Sequence, residues 1–224
     1  MSHRSAAFAA LCLLAITASA TSVAHCSISA TGSNSQSAYA VPGNELNSGI
    51  TGVVTGTALA GQEGASKDPA VLSNGTNGTG NFSDLGTQIV AISNGTTITY
   101  TFGSPQTIGS INTFSRWRDN GRVNQDYSVS TSTDGMAFIP LTSVAYDGLP
   151  NNRPVDAEVS VTNTSSHILA SGILAVQFSF PSTQNTYVGY TELSINGVPE
   201  PASLVLLGLS AVGLFAVARR RRAA

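Results

Sequence analysis

The sequence predicts an all-β fold, one antiparallel β-sandwich over residues 27–197, set between an N-terminal signal peptide and a single C-terminal transmembrane helix. Three observations lead there. Apolar and small polar residues alternate with a period of two in several separate segments, which gives a strand one buried face. Clusters of Ser, Thr, Asn and Gly punctuate those segments with turn-forming chemistry. Between the two ends, no long stretch repeats apolar residues at helical spacing. Many short strands joined by turns close as a sandwich or a barrel.

Residues 1–24 read as a cleaved signal peptide. Arg4 supplies the positive start, Ala6 to Ile16 the apolar stretch, and Ala18-Ser19-Ala20 a small-residue cleavage site, with Ser22-Val23-Ala24 as a second. The apolar stretch is too short to span a bilayer. Cys12 leaves with this segment and Cys26 remains alone, so no intrachain disulfide can form and a buried core must hold the fold. His25 precedes Cys26 where a lipoprotein signal has a small residue, which argues against lipidation. The region that follows is long enough for one domain and short for two.

The strands follow in order. Ile98, Tyr100 and Phe102 alternate with Thr97, Thr99 and Thr101, and Phe102-Gly103-Ser104-Pro105 reads as the strand's end. Tyr127, Val129 and Thr131 alternate with serines, and Asp134-Gly135 then signals a hairpin whose returning strand is Met136 to Leu141. Leu174, Val176, Phe178 and Phe180 alternate with Ala175, Gln177 and Ser179. A last strand runs from Tyr187 to Ile195 and closes at Asn196-Gly197. Ser73 to Gly80, with tandem Asn-Gly-Thr triplets, and Asp147 to Arg153 read as loops outside the core.

The C-terminal segment, 198–224, has three parts. Pro199-Glu200-Pro201 comes first, because proline cannot extend a helix backwards. Ala202 to Ala218 is then a run of 17 residues without a charge. As a helix it reaches about 26 Å, enough for a thin bilayer. Arg219, Arg220, Arg221 and Arg222 follow, and such a cluster stays on the cytoplasmic side. These parts are those of an ordinary tail anchor, and their order also resembles the PEP-CTERM sorting signal of Gram-negative bacteria. That resemblance implies an exosortase-type processing enzyme as partner. It also implies an inner-membrane-anchored precursor and delivery to the cell surface or an extracellular polymer matrix.

Composition narrows the function. Charged residues make up 10% of the chain, against about 25% in an ordinary globular protein. Between Ser27 and Val198 five basic residues face eleven acidic ones, a formal charge of −6, which argues against nucleic acid as partner. No catalytic constellation stands out. His25 and His167 are the histidines beyond the signal peptide, so neither a zinc site nor a Cys-His nucleophile has its parts. No serine lies in a Gly-x-Ser-x-Gly elbow. Asp119 and Asp126 are the nearest approach to a hydrolytic carboxylate pair, and acids beside arginines in a loop are more often surface ion pairs. The chain is read as a non-enzyme.

Residues 95–197 carry a second resemblance. The order Arg116-Trp117-Arg118-Asp119, Gln125-Asp126-Tyr127-Ser128-Val129, Ser132-Thr133-Asp134-Gly135 and Gly189-Tyr190-Thr191-Glu192-Leu193 is similar to the discoidin-type (factor 5/8 type C) branch of the galactose-binding-like jelly rolls. The residues upstream of Asp84 match that family poorly. The resemblance implies a jelly-roll-like sandwich and a structural calcium, to which Asp68, Asp84 and Glu192 would contribute beside backbone oxygens. For ligand contact the residues point to Arg116, Trp117, Arg118, Asp119 and Arg122, which join one aromatic face to charged hydrogen-bonding groups. Trp117 either stacks on a sugar there or points into the sandwich as core. Two functions fit: a surface- or matrix-associated module that binds polysaccharide or glycan, and a non-catalytic structural component of an extracellular matrix or coat.

Overall fold

The computed structural model describes residues 26–35, 39–78, 85–118, 122–147 and 155–198. Residues 1–24, read as a signal peptide, Asp84, Asp119, Pro199-Glu200-Pro201, the 202–218 run and Arg219 to Arg222 lie outside them. Among the described residues no helix is long and apolar enough to cross a membrane.

Among the described residues nine strands form the fold: β1 (Cys26–Ser33), β2 (Val53–Gly56), β3 (Val90–Ser93), β4 (Thr96–Arg116), β5 (Gln125–Ser132), β6 (Ile139–Tyr146), β7 (Asp156–Asn163), β8 (Ala170–Phe180) and β9 (Tyr187–Gly197). All pairings between them are antiparallel. The first half of β4 pairs with β2 and β8, and β8 continues to β5 and β6. Its second half pairs with β7 and β9, which continue to β1 and β3. Strand β4 therefore belongs to both layers of the sandwich and changes layer at a corner near residues 102–107. Register slips on either side of Gln106 mark that corner. Gly103 and Pro105 make the bend there without ending the strand, so the predicted stop at Pro105 is replaced by a continuous strand.

The core lies between the layers. Ile98, Tyr100 and Phe102 are buried, as the alternation predicts, and so are Val176, Phe178 and Phe180. Tyr127 and Phe178 pack across neighbouring strands at 5.9 Å, and Phe180 meets Tyr190 of the facing layer at 5.2 Å. Alternation fails at Leu174, which is half-buried while Ile173 and Ala175 are buried, because β8 lies against the slipped corner of β4 there. The hairpin after β5 is also longer than predicted. The Asp134 carboxylate accepts from the backbone N–H groups of Met136 and Ala137 and from the Ser132 hydroxyl, and the return strand begins only at Ile139.

Strand β9 is buried from Tyr187 to Asn196, polar residues included. Its second face is covered by the segment before β2. Leu46 N–H donates to the Ile195 carbonyl at 2.6 Å, and the Asn47 side chain bonds both the Leu193 carbonyl and the Ile195 N–H at 2.8 Å. Ser73 to Gly80, predicted to stay outside the core, is drawn in at Ser73 and Asn77, which are 1% and 5% exposed. Buried polar groups need partners. Asn77 finds them in Asp156 and Thr191.

The sandwich has two distinct poles. Among the described residues, 57–66, the turn at 94–95, the chain at 116–118, 122–124, 146–147 and 155–156, and the connection 181–187 meet at one, as the pairings Arg116↔Asp156 and Thr96↔Phe180 require. At the other lie the β4 corner, the 164–169 turn, the start of β1 and the end of β9, joined through Cys26↔Asn163, Ile108↔Ala170 and Ile108↔Gly197.

Candidate functional site

The loop pole gathers the residues singled out above and separates their roles. Arg116 closes β4 and is 2% exposed. Its Nη2 donates to Asp156 Oδ2 at 2.8 Å, and Asp156 is fully buried. The Asn77 amide also reaches both Asp156 oxygens, at 3.3 and 3.5 Å. This pair is spent inside the protein and offers nothing to a ligand.

Trp117 is fully buried, which corrects its assignment to the ligand-binding face. The ring packs edge-on to Tyr187 at 5.2 Å, among Ala65, Ile89, Ala91 and Val123. A flat aromatic platform must show a face to solvent, and this one shows none. The ring lies where Gly189 leaves space: a Cβ at 189 would sit 2.3 Å from Trp117 Cε3.

The other two arginines stay at the surface. Arg118 is half-exposed and its Nε pairs with Glu63 Oε2 at 2.9 Å. Glu63 sits at a positive φ of 53°, and its other oxygen accepts from the Tyr187 hydroxyl at 3.4 Å. The Arg122 guanidinium lies 4.3 Å from the Tyr187 ring centre and 5.8 Å from that of Trp117, within cation–π range. Arg118, Glu63 and Arg122 thus form one polar surface over the buried Trp117 and Tyr187.

Beside this surface opens a cleft of about 340 Å³, within the size range of small-ligand sites. Asn124 and Asp126 line it from the start of β5, Tyr146 and Asp147 from the end of β6, and Ser182 to Gln184 from the β8–β9 connection. Gln184 Oε1 accepts from the backbone N–H groups of Val123 and Asn124, at 3.1 and 3.2 Å, and ties two of these walls together. Asp126 accepts from the Ser182 hydroxyl and Asp147 from the Asn124 amide. Burial, with Tyr39 and Asp147 nearby, raises the Tyr146 phenol above its ordinary range. Of these residues Asp126 alone stands out in the sequence, as a carboxylate. The usable signal was Tyr146-Asp147 at a strand end before a turn-rich run, since loops at strand ends carry binding groups.

The calcium expectation meets a different set of residues. Asp68 caps the 3₁₀ turn Pro69–Ser73 through the Ala70 N–H and is committed there. Glu192 instead faces Glu45, and burial followed by Glu45 itself raises its carboxyl well above the usual range. Burial raises Glu45 too. Glu192 Oε2 accepts from Gly75 N–H at 3.2 Å, while Glu192 Oε1 and both Glu45 oxygens are buried without a hydrogen-bond partner. Orphaned oxygens on two adjacent carboxylates fit a calcium ion, whose remaining ligands would be backbone oxygens. No group of three or more acidic, His or Cys side chains converges among the described residues. Calcium is expected to raise the melting temperature of residues 27–198, an effect that EDTA reverses and Glu192→Gln removes. An unchanged melting temperature in calcium would leave Glu45 and Glu192 sharing a proton.

No curated protein matches the chain. Among solved structures the sandwich is similar to a Clostridium perfringens module, CpGH89CBM32-5, solved in complex with GalNAc-β-1,3-galactose. The TM-score is 0.45 at 13% identity, covering 66% of this chain and 96% of that one. It is similar as well to a Streptococcus pneumoniae fucose binding module, with TM-score 0.46 at 10% identity over 70% of this chain and 99% of that one. The family 32 carbohydrate-binding module from Streptococcus pneumoniae EndoD gives TM-score 0.46 at 11% identity, over 69% and 99%. At the other end, residues 197–222 match the family model described as the PEP-CTERM protein-sorting motif, so the chain carries that motif from the last residue of β9 onward.

Proposed function

We propose that the chain is an exported, surface- or matrix-associated module that binds a polysaccharide or glycan and does not act on it. The cleft at the loop pole carries this reading. It sets a half-buried tyrosine beside carboxylate, amide and hydroxyl groups from three separate elements, the mixture that sugar rings and their hydroxyls require. Asp126 and Asp147 favour neutral or amine-bearing sugars over uronate-rich polymers, since a carboxylate facing a carboxylate is unfavourable. Arg118 and Arg122 lie on the neighbouring surface and extend the same face.

A glycan array probed with residues 27–198 is expected to retain neutral or amino sugars. Replacing Asp126 and Asp147 together with Asn should weaken the best hit by about tenfold or more, roughly 1.4 kcal/mol. The melting temperature should stay nearly unchanged, because charges near the surface contribute little to stability. Arg118→Ala with Arg122→Ala tests the neighbouring surface in the same assay.

The burial of Trp117 favours a second reading, a structural component of an extracellular matrix, because it removes the largest aromatic face from the surface. An array with no ligand above background, on a domain shown to be folded, would select that reading.

Sorting is proposed to run through an exosortase-type enzyme. A simple apolar anchor tolerates Glu200→Ala, whereas a signal read by a processing enzyme does not. Accumulation of unprocessed precursor is the expected result, and normal processing of that variant would reduce the tail to a plain anchor.

A further inference from the structure

We infer that the terminal pole of the sandwich is a lipid-docking face. The tip of the β5–β6 hairpin, Met136 and Ile139, together with Ile168, rests on the bilayer that the C-terminal run enters. The inference depends on the reading of residues 202–218 as a membrane span.

Five large apolar residues are exposed among the described residues, and three of them lie at this pole: Met136 at 82%, Ile139 at 64% and Ile168 at 38%. The strand register puts them there. Ile168 directly precedes Leu169, whose N–H donates to the Ile108 carbonyl, and Ile108 is aligned with Gly197. β5 runs antiparallel to β8 from Ser128↔Ser179 to Ser132↔Ala175, so the tip that follows points toward Ser171, which is aligned with Thr107. The Thr107 carbonyl in turn accepts from Val198 N–H, the last described residue.

Chain length then fixes the distance to the bilayer. Four residue steps separate Val198 from Ala202, which at about 3.5 Å each reach no more than roughly 14 Å. A span that begins at Ala202 therefore holds this pole against the headgroups, and the opposite pole, with the cleft, faces away. The tip is built to be held out. Three donors on the Asp134 carboxylate fix the turn that carries Met136. Charge agrees, for the described basic residues Arg116, Arg118, Arg122 and Lys67 lie at or near the loop pole. Lys67 is placed there by its approach to Gly61. Docking at the terminal pole is thus apolar rather than electrostatic.

The test uses the full chain with Cys12→Ser and Cys26→Ser in phosphatidylcholine–phosphatidylglycerol vesicles. Single cysteines are introduced as Met136→Cys or Ile139→Cys, with Thr57→Cys at the loop pole as control, and each is labelled with an environment-sensitive fluorophore. Protease protection of the C-terminal fragment reports the span separately. With the fragment protected, the 136 and 139 labels should shift to the blue and lose about half their emission to nitroxide lipids. A group seated roughly 5–10 Å into the headgroup boundary behaves in this way. The Thr57 label should do neither. A protected fragment with unquenched tip labels overturns the docking face and leaves the span standing. An unprotected fragment overturns both.

Discussion

Asp156→Ala is expected to lower the stability of the sandwich by about 3–5 kcal/mol, the cost of leaving one member of a buried ion pair unpaired. Both members are out of solvent, with Arg116 2% exposed and Asp156 fully buried. Removing the carboxylate strands a guanidinium in a site that water cannot enter. It also deprives Asn77 of two acceptor oxygens. Asn77 holds the 73–78 segment against β9 through Thr191, so the loss should spread to that loop. Urea titration of residues 27–198 measures the effect, and faster amide exchange over 73–78 should accompany it. Replacing both members with apolar residues of similar size should recover much of the loss, because a buried pair gains little over a well-packed apolar substitute. A single variant within about 1 kcal/mol of the parent would mean that water reaches Arg116, since exposed pairs contribute only that much.

The same region shows what was legible in the sequence. The first half of β4 and most of β8 could be read from alternation, because each has one face in the core and one toward solvent. Strand β7 alternates as clearly, with Ala157, Val159 and Val161 buried, yet it follows a turn-rich run and is short of large apolar residues. β1 gives no such signal, since its middle six residues are exposed and it is placed by its pairing to β7. The end of β9 was legible in position but not in environment. Thr191, Glu192, Ser194 and Asn196 look like solvent-facing residues and are buried, because two segments far earlier in the chain, around Asn47 and around Asn77, cover them. A period-two pattern reports one face of one strand and is silent about a cover brought from a distance. The candidate site suffered similarly. Its residue types were found, but the cleft is assembled from three elements that no linear motif joins.

Trp117→Ala is the second large expected effect, about 3–5 kcal/mol for emptying a buried aromatic site. The ring is the centre of a small core of its own, with Ala65, Ile89, Ala91, Val123 and Tyr187 around it. It also bridges the end of β4 to the loops that carry Glu63 and Arg122. Gly189 offers an independent way to perturb the same contact. A methyl added there would lie 2.2 Å from the Arg116 carbonyl oxygen and 2.3 Å from the ring, and a backbone atom cannot turn aside. Gly189→Ala should therefore also destabilise, and it should do so by overpacking rather than by leaving a cavity. Because the two positions share one contact, the double variant should cost less than the sum of the singles. As the chain's single tryptophan, Trp117 reports its own surroundings. Its fluorescence in Gly189→Ala should shift to the red as the ring is pushed toward water. A Trp117→Ala variant that kept its full stability would show that the ring does not pack as described, and would return it to the ligand-binding face.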